Sequence, residues 1–343
     1  AVTTGVNNTF IGGLAGDAIT TGIRHTALGQ GSLSTETTGR AAVAVGFNAL
    51  ATLNVGSNLE SYNVAVGSEA GAAMTVGLRN TIIGGLAGDA LTDADDNIAI
   101  GQGALGTDTL GSKSVAVGRA ALATQNFTTA ADTYNTAVGF QAGTAVTTAV
   151  QNTLIGAQVG DALTEGARNT AVGYVALSSD TRGQYSTAVG YAALFSSNQT
   201  TAVNTYNVAV GYNAGGAVTT GLFNTLVGGL SGDALTDADY NTGLGYLALS
   251  SDTLGSTSTA VGAFALRDQN LTTATDVYNT AVGYNAGGDV TVGFMNTLIG
   301  GLAGDALTDA DYNVAIGFHA LGSDTLGSRS VAIGTNALFT QNF

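Results

Sequence analysis

The chain of 343 residues contains no cysteine, no proline and no tryptophan, and it has only two methionines and two histidines. Without cysteine there are no disulfides and no thiolate metal sites. Lys and Arg together number 9 against 24 Asp and Glu, a formal net charge of −15, which argues against nucleic acid and anionic membrane as partners because both need basic patches. Long apolar runs are also missing: no stretch approaches the roughly 18 residues of a membrane-spanning helix, so this segment is not expected to insert in a bilayer. His25 and His319 lie almost the full chain apart, and no carboxylate pair is confined to one place. General acid–base chemistry needs such a local pair, so the expectation is that the chain is not an enzyme.

What the sequence does have is glycine, 51 residues of it, with 45% hydrophobic content and strict internal repetition. The stretch GGLAGDALT at 84–92 returns as GGLAGDAIT at 12–20, GAQVGDALT at 156–164, GGLSGDALT at 228–236 and GGLAGDALT at 300–308, always at the same offset from the copy before. Self-similarity at a fixed period marks a solenoid or array. Inside this period lies a shorter unit, a strand of the form Asn/Ser-Thr/Val-Ala-Val/Ile-Gly. Its glycines fall at 12, 29, 46 and 67, then at the same offsets through 334, so that successive positions differ by 17, 17, 21 and 17. The expected fold is therefore all-β, a parallel β-solenoid of about 19 coils running through residues 1–343 as a single repetitive domain. The chain begins and stops mid-pattern, which reads as a segment of a longer fibrous protein.

In a strand, alternate side chains share a face. In Tyr278-Asn279-Thr280-Ala281-Val282-Gly283 this puts Tyr278, Thr280 and Val282 on one side and Asn279 and Ala281 on the other. Branched residues one and three before the glycine are expected to stack in buried ladders. The position two before the glycine is Ala in 13 of the 19 coils, Gly243 in one, and Phe10, Ile82, Leu154, Leu226 or Leu298 in the rest. A column of small residues lets another backbone approach, and a neighbouring subunit is the expected occupant. The 12 tyrosines keep two registers, five residues before the glycine or one after it, and are expected to form packing ladders.

The motif, clean in Ser114-Val115-Ala116-Val117-Gly118 and Ser330-Val331-Ala332-Ile333-Gly334, resembles the head repeats of YadA-type trimeric autotransporter adhesins. The longer form Asn207-Val208-Ala209-Val210-Gly211-Tyr212-Asn213-Ala214-Gly215 resembles tandem repeats of bacteriophage tail fibres. The resemblance implies a left-handed parallel β-roll, a homotrimer, and an extracellular location on a virion tail fibre or bacterial surface. It also implies a structural role in adhesion, with a host-surface glycan or protein as receptor. The coils of this chain are longer than those of the adhesin heads.

Two groups of residues are candidate sites. GGLAGDALT differs at Ala87 from the calcium-roll consensus G-G-x-G-x-D-x-U-x, and carboxylates cluster after it: Asp89, Asp93 and Asp95, then Asp233, Asp237 and Asp239, then Asp305, Asp309 and Asp311. Calcium needs six to eight converging oxygens, whereas this motif returns only every fourth coil; turn chemistry is the competing reading, and no cofactor is expected. The second group is the loop that lengthens every fourth interval, with Asn126, Asn198 and Asn270 each in Asn-x-Thr. These are surface-contact or glycosylation candidates. The alternative to a fibre is a monomeric solenoid, calcium-stabilised or ice-binding, the latter prompted by the threonines three before the glycine (Thr81, Thr136, Thr153, Thr170).

Overall fold

A computed structural model describes residues 2–56 and 59–342. The chain divides into two compact units, Ala1–Asn169 and Thr170–Phe343. Among the described residues every regular element is a β-strand.

Among the described residues the first unit stacks nine three-residue strands, from Thr9–Ile11 to Thr153–Ile155, and the second stacks ten, from Thr170–Val172 to Val331–Ile333. Every one ends at the residue before a motif glycine, as the spacing predicts. Pairing is parallel and in register, with like positions opposed: Thr136, Ala137 and Val138 face Thr153, Leu154 and Ile155 in the first unit, and Thr187, Ala188 and Val189 face Val208, Ala209 and Val210 in the second. Each coil uses the one before it as a template, so a parallel β-solenoid follows from the repeat itself.

The motif glycine is required by both backbone and space. Gly190 has φ of 139°, and a Cβ on it would lie 2.2 Å from the carbonyl oxygen of Gly211 in the next coil. That region of backbone space is open essentially only to glycine.

The inside of the coil is the small-residue side, which reverses the expected assignment of faces. Ala44, Ala65, Ala116 and Ala137 in the first unit, and Ala188, Ala209, Ala260 and Ala281 in the second, are fully buried within their own chain. Thr280 and Val282, expected inside, point outward and are only half-buried. The physical reason is width. So short a coil, folded flat, leaves an interior one small side chain deep opposite the strand, because Ala and Leu from the segment after the glycine (Ala49 and Leu50, Ala248 and Leu249) already occupy it.

The exceptions to the alanine column obey the same volume rule. Where Leu154 replaces alanine, the glycines Gly143 and Gly160 stand in place of leucines; a Cβ on Gly143 would lie 2.7 Å from Leu154 Cδ1, and one on Gly160 2.9 Å from Leu154 Cδ2. Gly88 and Ile82 repeat the arrangement. The last glycine of GGLAGDALT therefore makes room for a large residue in the core.

Candidate interaction face and buried polar columns

Four outward positions form one face of each unit: the residues five, three and one before the motif glycine and the residue after it. The two central positions hold only Thr, Val, Ile and Leu in all 19 coils, without a single charge in a chain of net charge −15. They are half-buried to exposed in the single chain: Ile83, Ile155, Leu244 and Ile299 all count among its exposed large apolar side chains. A soluble monomer seldom leaves a continuous apolar stripe uncovered.

The two rims differ from the stripe. Eleven of the twelve tyrosines are exposed on them, and Tyr185 is half-buried. The expected ladders form over part of the second unit, and as surface columns: Tyr185 stacks on Tyr206 at 5.1 Å, Tyr206 on Phe223 at 5.6 Å and Phe223 on Tyr240 at 4.8 Å, while Tyr191 lies between Tyr174 and Tyr212 at 5.7 and 5.3 Å. Rings stacked this way spend their faces on each other and present edges and hydroxyls outward. In the first unit the same rim carries Arg24, Arg79, Asp96 and Lys113. The residue five before the glycine is left-handed whatever its type, with φ of 59° at Arg79 and Asp96, 53° at Tyr134 and 56° at Tyr278. The position thus takes side chains as different as Ala41, Arg79, Asp96 and Tyr134. Charged rims make local ion pairs: Arg79 bonds Asp96 at 2.6 Å and holds that carboxyl below its ordinary value, and Lys113, 2.6 Å from Asp132, does the same there.

Behind the strand runs a buried column, mostly of asparagines, four residues before each glycine. Asn80 Oδ1 accepts the backbone N–H of Asn97 at 2.9 Å, and Asn80 Nδ2 donates to the carbonyl of Ala94 at 2.7 Å. In the second unit Asn224 plays the same part toward Asn241 and Ala238. His25 occupies this column, accepting from the Ala42 N–H through Nδ1 at 3.2 Å, with Nε2 2.7 Å from the Gly39 carbonyl oxygen; burial lowers its pKa.

The sequence reading missed a second buried column, seven residues after the glycine. It is apolar in at least two coils of each four, as at Leu91 and Val146, but Glu36, Asp108, Asp180, Asp252 and Asp324 sit in it fully buried, one to each turn of the long period. Asp108 Oδ1 accepts the N–H of Gly111 at 3.1 Å and of Phe127 at 3.0 Å, and its other oxygen accepts from Gln125 Nε2. Gln125 Nε2 also reaches Ser114 Oγ at 2.9 Å, and its Oε1 accepts from Asn135 Nδ2 at 2.9 Å. A buried carboxylate is tolerable only when its oxygens are taken up in this way. The signal was present as a charged residue at a position that is otherwise mostly apolar at the coil period.

That network anchors the long loops. Thr128–Ala130, Thr200–Ala202 and Thr272–Ala274 are exposed directly after the residues held by Asp108, Asp180 and Asp252. Asn126, Asn198 and Asn270 are exposed at the foot of each loop, and their Oδ1 atoms accept from Thr109, Thr181 and Thr253 of the preceding coil at 3.5, 3.4 and 3.2 Å. They belong to a column of Thr and Asn eight residues after each glycine.

The aspartates of the calcium reading occupy three separate stations. Asp95, Asp239 and Asp311 each accept a backbone N–H from the preceding coil, from Leu78 at 2.8 Å, Leu222 at 2.7 Å and Phe294 at 3.0 Å. Asp93, Asp237 and Asp309 are exposed, with Asp237 accepting from Thr220 Oγ1 at 2.6 Å. Asp89, Asp233 and Asp305 are half-buried, and burial raises their pKa. Among the described residues no three carboxylate or imidazole groups converge on a point that would hold a metal ion.

No family model, curated protein or solved structure matches the chain.

Proposed function

We propose that this chain is a structural shaft or head segment of an attachment fibre, in which three copies pack through the outward Thr/Val/Ile stripe. The observation that carries the reading is the stripe itself: uncharged in every coil, continuous within each unit, and half-buried to exposed in the single chain. Ten coils at about 4.8 Å and a strand about 10 Å wide give about 480 Å² in the second unit, and nine coils about 430 Å² in the first. Either stripe is as large as the biggest apolar patch of a typical monomer, about 300–600 Å², and such patches are often functional. The alanine column, buried inside its own coil, is not available for this contact.

The role is mechanical, with no catalytic step and no bound cofactor. Within each unit successive coils are tied by the backbone ladder and by the mostly asparagine and threonine columns, so load along the stack is shared by many parallel hydrogen bonds. The long polar loops, held at their base by buried carboxylates, are the parts placed to touch a glycan or protein receptor on a host or surface. An extracellular setting, on a virion tail fibre or a bacterial surface, fits this role and the resemblance of the repeats. Sedimentation equilibrium tests the proposal: three times the chain mass, unchanged by a calcium chelator, is expected, and a monomer rejects it.

One observation favours a second reading. Twelve of the 19 outward positions three before the glycine are threonine, so an unpaired chain presents regularly spaced hydroxyl and methyl groups on a sheet face. A monomer that depresses the freezing point without changing the melting point would be an ice-binding solenoid.

A further inference from the structure

Oxidation chemistry has few places to act on this chain. Cysteine and tryptophan are absent, and of the two methionines Met74 is fully buried. Met295 is exposed, but a thioether is oxidised by oxygen transfer to the sulfoxide. One-electron oxidants are left with tyrosine. In the second unit five tyrosines form face-to-face pairs across neighbouring coils: Tyr185 with Tyr206 at 5.1 Å and 21° between planes, Tyr191 with Tyr212 at 5.3 Å and 14°, and Tyr174 with Tyr191 at 5.7 Å and 30°. Four of the five are exposed and the fifth, Tyr185, is half-buried. The parallel register holds each ring beside its neighbour, so a radical formed on one has its coupling partner in place.

We propose that these pairs are sites of oxidative coupling to dityrosine, driven by a peroxidase-type oxidant with hydrogen peroxide. Each phenol gives up one electron and its phenolic proton, forming a tyrosyl radical. The two radicals join through a new bond between their Cε carbons, and the hydrogen on each of those carbons returns to the phenolic oxygen as the ring regains aromaticity. The pair loses two hydrogens in all, and one peroxide is reduced to two waters. Two of the links, Tyr185 to Tyr206 and Tyr191 to Tyr212, span the longer interval that carries a projecting loop. Coupling therefore closes the most extended coil with a covalent bond.

The test treats the dilute full-length chain with a haem peroxidase and hydrogen peroxide, then follows dityrosine fluorescence, melting temperature and linked peptides by mass spectrometry. The expected result is fluorescence from links within one chain, Tyr185 to Tyr206 and Tyr191 to Tyr174 or Tyr212, with a raised melting temperature. The double variant Tyr185→Phe/Tyr191→Phe keeps the stacks, as Phe223 already does beside Tyr240, and is expected to lose most of that fluorescence. Tyr246→Phe, whose ring stands edge-on to Phe264, is expected to change nothing. Equal fluorescence from the double variant, or links found only between chains, overturns the proposal.

Discussion

Asn80 and Asn97 occupy the same position in successive coils, and the side chain of the first accepts the backbone N–H of the second at 2.9 Å. One buried amide thereby satisfies backbone groups that the three-residue strand leaves unpaired. Asn80→Leu strands the N–H of Asn97 and the carbonyl of Ala94 in the core. A cost of about 2–6 kcal/mol is expected, from about 1–3 kcal/mol for each of the two unsatisfied groups, and denaturant unfolding would measure it.

The volume rule of the interior gives a paired prediction. Leu154→Ala opens a cavity between Gly143 and Gly160 and is expected to cost about 3 kcal/mol. Ala137→Leu, at the same position one coil earlier, meets a filled interior and destabilises by about 1–3 kcal/mol through overpacking. Thermal melts of the two variants check this; a neutral Ala137→Leu would contradict the packing described.

Gly190→Ala places a methyl against the Gly211 carbonyl at a φ of 139°. The expected loss is at least about 3 kcal/mol from strain and contact combined. Gly334→Ala, where a Cβ would meet nothing within 4 Å, bears only the backbone part. Comparing the two melts separates conformation from contact.

Burial raises the carboxyls of Asp161, Asp233 and Asp305 above 3.8. The folded state then binds more protons than the unfolded one between 3.8 and the raised values, so these groups favour folding as pH falls through that window and oppose it at neutral pH. The triple variant with Asn at these positions is expected to melt higher than wild type at neutral pH. The gap should close as pH falls toward 3.8. Glu60, Asp96 and Asp132 shift the other way through Tyr62, Arg79 and Lys113, so they lose stabilisation as pH falls and set a common acid background in both proteins. A gap that widens on acidification would contradict the assignment.

The coil number, the parallel register and the breakpoints of the strands were all legible in the glycine intervals, because a template that repeats at such short and regular spacing leaves one way to stack. The face assignment was not. Alternation shows that Ala281 and Val282 point opposite ways but not which is inside, and the usual rule that branched apolar residues are buried fails when the interior is one methyl deep. Asp108 escaped notice because a lone aspartate beside Thr and Gly reads as a turn residue; only its place in a column otherwise held largely by Leu and Val marks it as buried. The asparagines of the long loops were read as free surface, while Asn126, Asn198 and Asn270 also accept hydrogen bonds that tie each loop to the coil before it.

The most direct test of the account concerns the outward stripe. Val210→Lys with Val227→Lys places two charges on that stripe without touching Ala209 or Leu226 behind it. Sedimentation equilibrium combined with circular dichroism is expected to show the proposed trimer reduced to a single chain that keeps its β signal. A mass unchanged from wild type, or loss of the β signal in the variant, would contradict the claim that this face joins the chains while the alanine side fills the coil.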